Sequence, residues 1–123
     1  MRLDTKPSRT IAEYEAIVLD IAERARKYAI VNGGPAGLCF DSSCFIVEEF
    51  DKIEDNGEYF GSQIMHGSVN SQPHSWVELS LPGEYEIRLL DVTLDQFGDY
   101  PEIVWSTPEE WPIYKYDEED YES

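Results

Sequence analysis

The sequence predicts an α+β fold, with two N-terminal helices packed on an antiparallel β-sheet. Three observations predict it. Helical periodicity is confined to the first half of the chain. After Gly57 the apolar pattern changes to a two-residue period bounded by turn residues. The 123 residues suit one domain with one core.

The first element is a helix over residues 10–31. Ile11, Tyr14, Ile17, Val18, Ile21, Ala25, Tyr28 and Ala29 recur at steps of three and four and build one apolar stripe. Thr10 and Glu13 fit a capping box, and Asn32-Gly33-Gly34-Pro35 ends the helix. A second helix is expected from Cys39 to Ile53. Phe40, Ser43, Cys44, Val47, Phe50 and Ile53 share a face, which places Cys44 in the core, and Asp55-Asn56-Gly57 terminates it. Strands follow over residues 59–66, 75–81, 84–90, 102–106 and 111–116. Trp76, Glu78 and Ser80 alternate with Val77, Leu79 and Leu81, the pattern of a sheet with one buried face. Leu81-Pro82-Gly83-Glu84 reads as a hairpin turn. The domain is expected to span residues 1–116, and the acidic residues 117–123 to form a disordered tail.

Charge and composition exclude several classes. Residues 1–36 hold six bases and five acids, whereas the remainder holds three bases and 21 acids, a net of −18. That field repels nucleic acid and anionic membranes but attracts a basic protein surface. No apolar run approaches a membrane span of ~20 residues. The polar N-terminus has no secretory h-region, so a cytoplasmic location is expected.

Three segments carry candidate chemistry. Cys39 follows a Gly/Pro-rich loop and opens the second helix, where the positive end of the helix dipole favours a thiolate nucleophile. His74 begins a strand, positioned to act as a base. A turn at Pro82-Gly83 sets His74 across from residues close to Asp91, whose carboxylate would orient the ring. Cys39, Cys44, His66 and His74 lack the spacing of a zinc site, so neither a metal nor another cofactor is expected. His66 reads as a loop or strand-end residue.

The segments Gly37-Leu38-Cys39-Phe40-Asp41-Ser42-Ser43, His74-Ser75-Trp76 and Leu90-Asp91-Val92-Thr93-Leu94-Asp95-Gln96-Phe97 resemble the papain-like, transglutaminase-like cysteine superfamily. The resemblance covers residues 33–97. It is nearest to small bacterial and phage members of that superfamily. It implies a thiol enzyme acting on an amide or ester of a protein or peptide, with Cys39 as nucleophile, His74 as general base and Asp91 as orienting acid. Trp76 and Gln96 are expected to touch substrate, although Trp76 on an alternating strand fits the core equally and Asp95-Gln96-Phe97 also fits a plain turn lock. Asn32 and Gln63 are candidates for the oxyanion hole, alongside the backbone amide of Cys39. From another class, the acidity fits a binding protein that blocks a basic or DNA-binding surface.

Overall fold

A computed structural model describes residues 9–54 and 58–117. Helix α1 spans Ile11–Val31 and α2 spans Cys39–Glu54. Strands β1 (Gln63–Val69), β2 (Gln72–Leu79), β3 (Arg88–Asp91), β4 (Val104–Ser106) and β5 (Lys115–Tyr116) form one antiparallel sheet in the order β4-β3-β2-β1-β5. The α+β class is therefore as the sequence predicts. Among the described residues no helix is long and apolar enough to cross a membrane. The helix terminator at residues 55–57 and all but Asp117 of the acidic tail lie outside the described residues.

The capping box forms as expected. Thr10 Oγ1 accepts from the Glu13 amide at 3.1 Å, and Glu13 accepts from the Thr10 amide at 2.8 Å. The buried stripe of α1 is Tyr14, Val18, Ile21, Ala22, Ala25 and Ala29. Helix α2 is turned by about one residue from the expected face. Ser42, Ser43, Ile46 and Phe50 are buried, whereas Phe40 is exposed and Cys44 only half-buried. Two serines tolerate burial because each hydroxyl donates to a carbonyl four residues back. Ser42 bonds Leu38 at 2.7 Å and Ser43 bonds Cys39 at 2.7 Å. Their small side chains let the start of α2 pack closely in the fold.

The strands begin or end a few residues from the expected bounds, and one hairpin was absent from the sequence reading. Asn70 and Ser71 both have positive φ, 51° and 66°, and join β1 to β2 by a two-residue loop. Leu81-Pro82-Gly83-Glu84 does turn, with Gly83 at φ 84° and the Glu84 amide donating to Leu81 at 2.9 Å. It is not the hairpin itself. The β2–β3 connection is longer, and its register pairs Val77 with Leu90 and Leu79 with Arg88. Asp91 thus lies opposite Trp76, two residues along from His74. A shift of two preserves the strand face, so His74 and Asp91 still project to the same side.

The sheet is covered on both faces, not one. Val77, Leu79, Leu90 and Val92 pack beneath the helices with Ile21, Ile46, Phe50 and Phe60. Trp76, Leu89, Leu94, Val104, Val69 and Tyr114 form a second cluster on the opposite side. The second layer comes from irregular C-terminal chain, which a periodicity argument does not register. It also forces a close approach at Gly67, where a Cβ would lie 1.9 Å from the Lys115 carbonyl oxygen.

Candidate active site

The site forms where the sheet runs out of neighbours. A two-residue hairpin closes on the Val69–Gln72 pair, so alternation turns the amides of residues 72, 74 and 76 toward β1. Residues 73, 75 and 77 then face β3. Strand β3 pairs with β2 only over Val77–Leu79, which leaves positions 73 and 75 uncovered. Proline at 73 has no amide to leave unpaired. The Ser75 amide instead hydrogen-bonds the thiol of Cys39.

Cys39 enters this gap from the first turn of α2. The preceding residue is Leu38, whose side chain has no group that can cap the helix. Its carbonyl accepts the Ser42 amide at 2.9 Å, and the amides of the first turn have no intrahelical partner. The thiol therefore sits at the positive end of the helix dipole.

His74 projects from the far face of β2, and its side chain is completely enclosed. Trp76 stacks on it at 6.0 Å, Phe97 meets it edge-on at 4.9 Å, and Tyr114 lies at 6.2 Å. Its Nε2 bonds Asp91 Oδ2 at 2.6 Å. The other ring nitrogen, Nδ1, is buried and closes no hydrogen bond of good geometry. Cys39 nevertheless interacts with this ring. With Nε2 occupied by Asp91, Nδ1 is the ring nitrogen left for the sulfur.

Asp91 is held from four directions. Besides His74, Oδ2 accepts the Tyr114 hydroxyl at 2.7 Å. Oδ1 accepts the Thr93 amide at 2.9 Å and its hydroxyl at 3.2 Å. Four donors on its two oxygens keep the buried carboxyl group from rotating.

Electrostatics follow from this geometry. Burial alone would lower the His74 pKa, but hydrogen bonds and charges from Asp91 and Cys39 raise it from 6.5 to about 9. Burial pushes the Cys39 thiol up, but bonds from His74 and the Ser75 amide outweigh it and bring the thiol below its ordinary value. Both shifts move the pair toward a thiolate beside an imidazolium. Cys44 is the reverse. Burial and the charges of Glu48 and Asp41 push its thiol up. It lines a shallow surface cleft of about 200 Å³ with Tyr28, Asp41, Phe45 and Glu48, so its expected place in the core is corrected.

The structure brings Cys39, His74 and Asp91 together and disperses the other expected site residues. Trp76 is wholly buried behind the imidazole and packs among Tyr114 and Tyr116, so it cannot touch a substrate. Its role in binding is replaced by a role in enclosing the ring. Gln96 donates to the Thr93 carbonyl at 3.0 Å and locks the 3-10 turn Leu94–Phe97 instead of reaching outward. Asn32 caps α1 by donating to the Tyr28 carbonyl at 2.8 Å. Gln63 pairs with Glu78, four residues along β1 from Gly67, the partner of His74. That is about 13 Å along the strand, too far for an oxyanion hole. Amides at the start of α2 remain for that role.

Other residues at the site were missed in the sequence. Tyr114 lies near the chain end, and Thr93 acts through its local turn, for which the Asp-x-Thr spacing was the available signal. His66, read as a strand-end residue, lies within β1. Its Nδ1 is 3.0 Å from Ser75 Oγ, and its ring stacks on exposed Phe40 at 6.0 Å, next to Cys39 in sequence. Arg26 of α1 clamps the following turn through two bonds to Asp95, at 2.7 and 2.8 Å, and one to the Val92 carbonyl at 2.9 Å. Among the described residues no cluster of three or more His, Cys, Asp and Glu side chains is set to hold a metal ion. Compared with known proteins, the chain matches no protein family, no curated protein and no solved structure.

Proposed function

We propose that this chain is a thiol enzyme that acts on an amide or ester of a protein or peptide, of the papain-like, transglutaminase-like kind. The observation that carries the reading is the convergence of Cys39, His74 and Asp91 from three separate elements, with thiol and imidazole shifted in opposite directions. A lone core cysteine needs no such partners.

In this mechanism the Cys39 thiolate attacks the substrate carbonyl carbon, and the carbonyl π pair moves onto oxygen. The unpaired amides of the first turn of α2 face that developing charge. Collapse breaks the bond to the leaving amine or alcohol, which takes the Nδ1 proton of His74, and leaves a thioester. Neutral His74 then accepts a proton from water or an incoming amine as it attacks the thioester, and Cys39 departs as thiolate. Asp91 keeps the ring oriented throughout. Water as acceptor gives proteolysis or glutamine deamidation, and an amine gives acyl transfer. We place the enzyme in the cytoplasm, with a substrate that presents a basic surface to its net charge of −17.

A second reading follows from that same charge: an acidic protein that occludes a basic or DNA-binding surface without chemistry. One experiment separates the two. Wild type and Cys39→Ala are co-expressed with candidate basic proteins, and mass spectrometry looks for cleavage, new conjugates or the gain of about 1 Da of deamidation. The enzyme reading requires a product with wild type and none with the variant. If Cys39→Ala keeps the full biological effect while reversal of surface acids abolishes it, the occluding reading replaces it.

A further inference from the structure

Asp91 Oδ2 is shared between two donors that come from opposite ends of the site. His74 Nε2 reaches it at 2.6 Å from β2, and the Tyr114 hydroxyl reaches it at 2.7 Å from the segment before β5. We propose that Tyr114 is a positioning residue that sets how tightly His74 holds its proton, by taking part of the acceptor strength of Asp91 Oδ2. This rests on the thiol-enzyme reading, in which the His74 imidazolium must release a proton to the leaving group.

The argument is one of charge and geometry. The phenol donates to Asp91 Oδ2. Its O–H dipole brings positive charge to the oxygen that also holds the imidazolium. That weakens the hold of Asp91 on the Nε2 proton and makes the ring a better acid at Nδ1. The donor is constant across the working pH range. Burial and the neighbouring Asp91 charge push the Tyr114 hydroxyl far above its ordinary value, so it does not ionise. Tyr114 is itself buried against Trp76, with ring centroids 4.8 Å apart, and cannot swing away without opening the second core cluster.

The other titratable groups around this cluster are accounted for. Cys39 faces the ring from α2. Arg26 of α1 feels the Asp91 charge but spends its hydrogen bonds on Asp95 and Val92. Tyr100 and Tyr116 lie near Tyr114, and Tyr116 bonds Glu78. His66 of β1 lies on the other side of the sheet and engages Ser75.

The test is a titration of the His74 ring nitrogens by NMR in the full chain. In wild type the midpoint is expected at about 9. Tyr114→Phe keeps the ring and removes the donor, and should raise the midpoint by roughly half to one pH unit. Site-specific 3-fluorotyrosine at position 114 keeps the hydroxyl but strengthens it as a donor, and should lower the midpoint. Tyr116→Phe, which deletes a phenol bonded to Glu78, should leave it in place. A purely packing role for Tyr114 predicts no shift in either variant, and that result overturns the proposal. If Tyr114→Phe does not fold, the fluorinated chain decides alone: a fall supports the proposal and an unchanged midpoint sinks it. A wild-type midpoint near 6.5 would instead remove the enzyme reading, and the difference between the variants would still decide the role of Tyr114.

Discussion

Cys39→Ala should make the stability of this protein fall more steeply with rising pH than that of the wild type. The unfolded chain ionises His74 near 6.5 and Cys39 near 9.0, whereas the folded chain holds the His74 proton to about 9 and releases the Cys39 proton below its ordinary value. A raised imidazole contributes stability that is complete below 6.5 and is lost as pH rises through about 9. A lowered thiol contributes stability that is present above 9.0 and is lost as pH falls through its folded value. Between pH 7 and 8.5 the two trends oppose each other. The lowered thiol therefore offsets part of the slope that the raised ring contributes. Removal of the thiol leaves the ring alone, and Asp91, the larger cause of its shift, is still present. Unfolding then releases a proton, and stability falls by about 1.4 kcal/mol per pH unit. The loss is at most about 2 kcal/mol across the window, and smaller by the part of the His74 shift that Cys39 supplied, with little reduction for screening because the His74 side chain is fully enclosed. Urea unfolding of both chains at pH 7.0, 7.8 and 8.5, at fixed ionic strength, reads the difference directly, and Cys44 and the surface acids cancel. Parallel stability curves would refute the reasoning, because they would mean that the folded thiol gives up no proton that the unfolded thiol holds.

Three further outcomes follow from the site. Iodoacetamide should label Cys39 faster than Cys44 at neutral pH, as peptide mapping would show, because the first thiol is lowered and the second raised; equal rates would contradict the ion pair. Asp91→Asn turns one acceptor oxygen into a donor that faces two existing donors, so it should cost roughly 2–4 kcal/mol in urea unfolding and bring the His74 midpoint down. A loss below about 0.5 kcal/mol would mean the four bonds are not all made. Gly67→Ala places a methyl against the Lys115 carbonyl and the Trp76 ring, so it should detach β5 from β1 and cost roughly 1–3 kcal/mol, with lost amide protection at residues 115–117 as the local sign.

The sequence made some of this legible and hid the rest for physical reasons. Both helices were readable because caps and periodicity are local signals, as Thr10 and Glu13 illustrate. The convergence of His74 and Asp91 survived a wrong register because an error of two residues keeps a side chain on its face. The expectation of one buried sheet face failed because the covering layer is irregular chain around Leu94, Tyr100 and Trp111, with no period to detect. Trp76 reads equally as a substrate wall or as core because alternation alone cannot tell an enclosed face from an open one. Tyr114 had no signal at all: its part in the site depends on a contact 23 residues away along the chain.

Chain order gives the Tyr114–Asp91 bond a consequence during synthesis. Cys39 leaves the ribosome long before Asp91, and Tyr114 follows about 75 residues after the cysteine. The two helices can pair early, since their contacts are close in sequence. The charge state of the thiol cannot be set then, because the acceptor that raises His74 and the phenol that closes over it have yet to emerge. A growing chain therefore lacks the His74 and Ser75 contacts that lower the thiol until β2 has packed beside α2, and the phenol that tempers His74 joins only when residues 111–116 dock across the sheet.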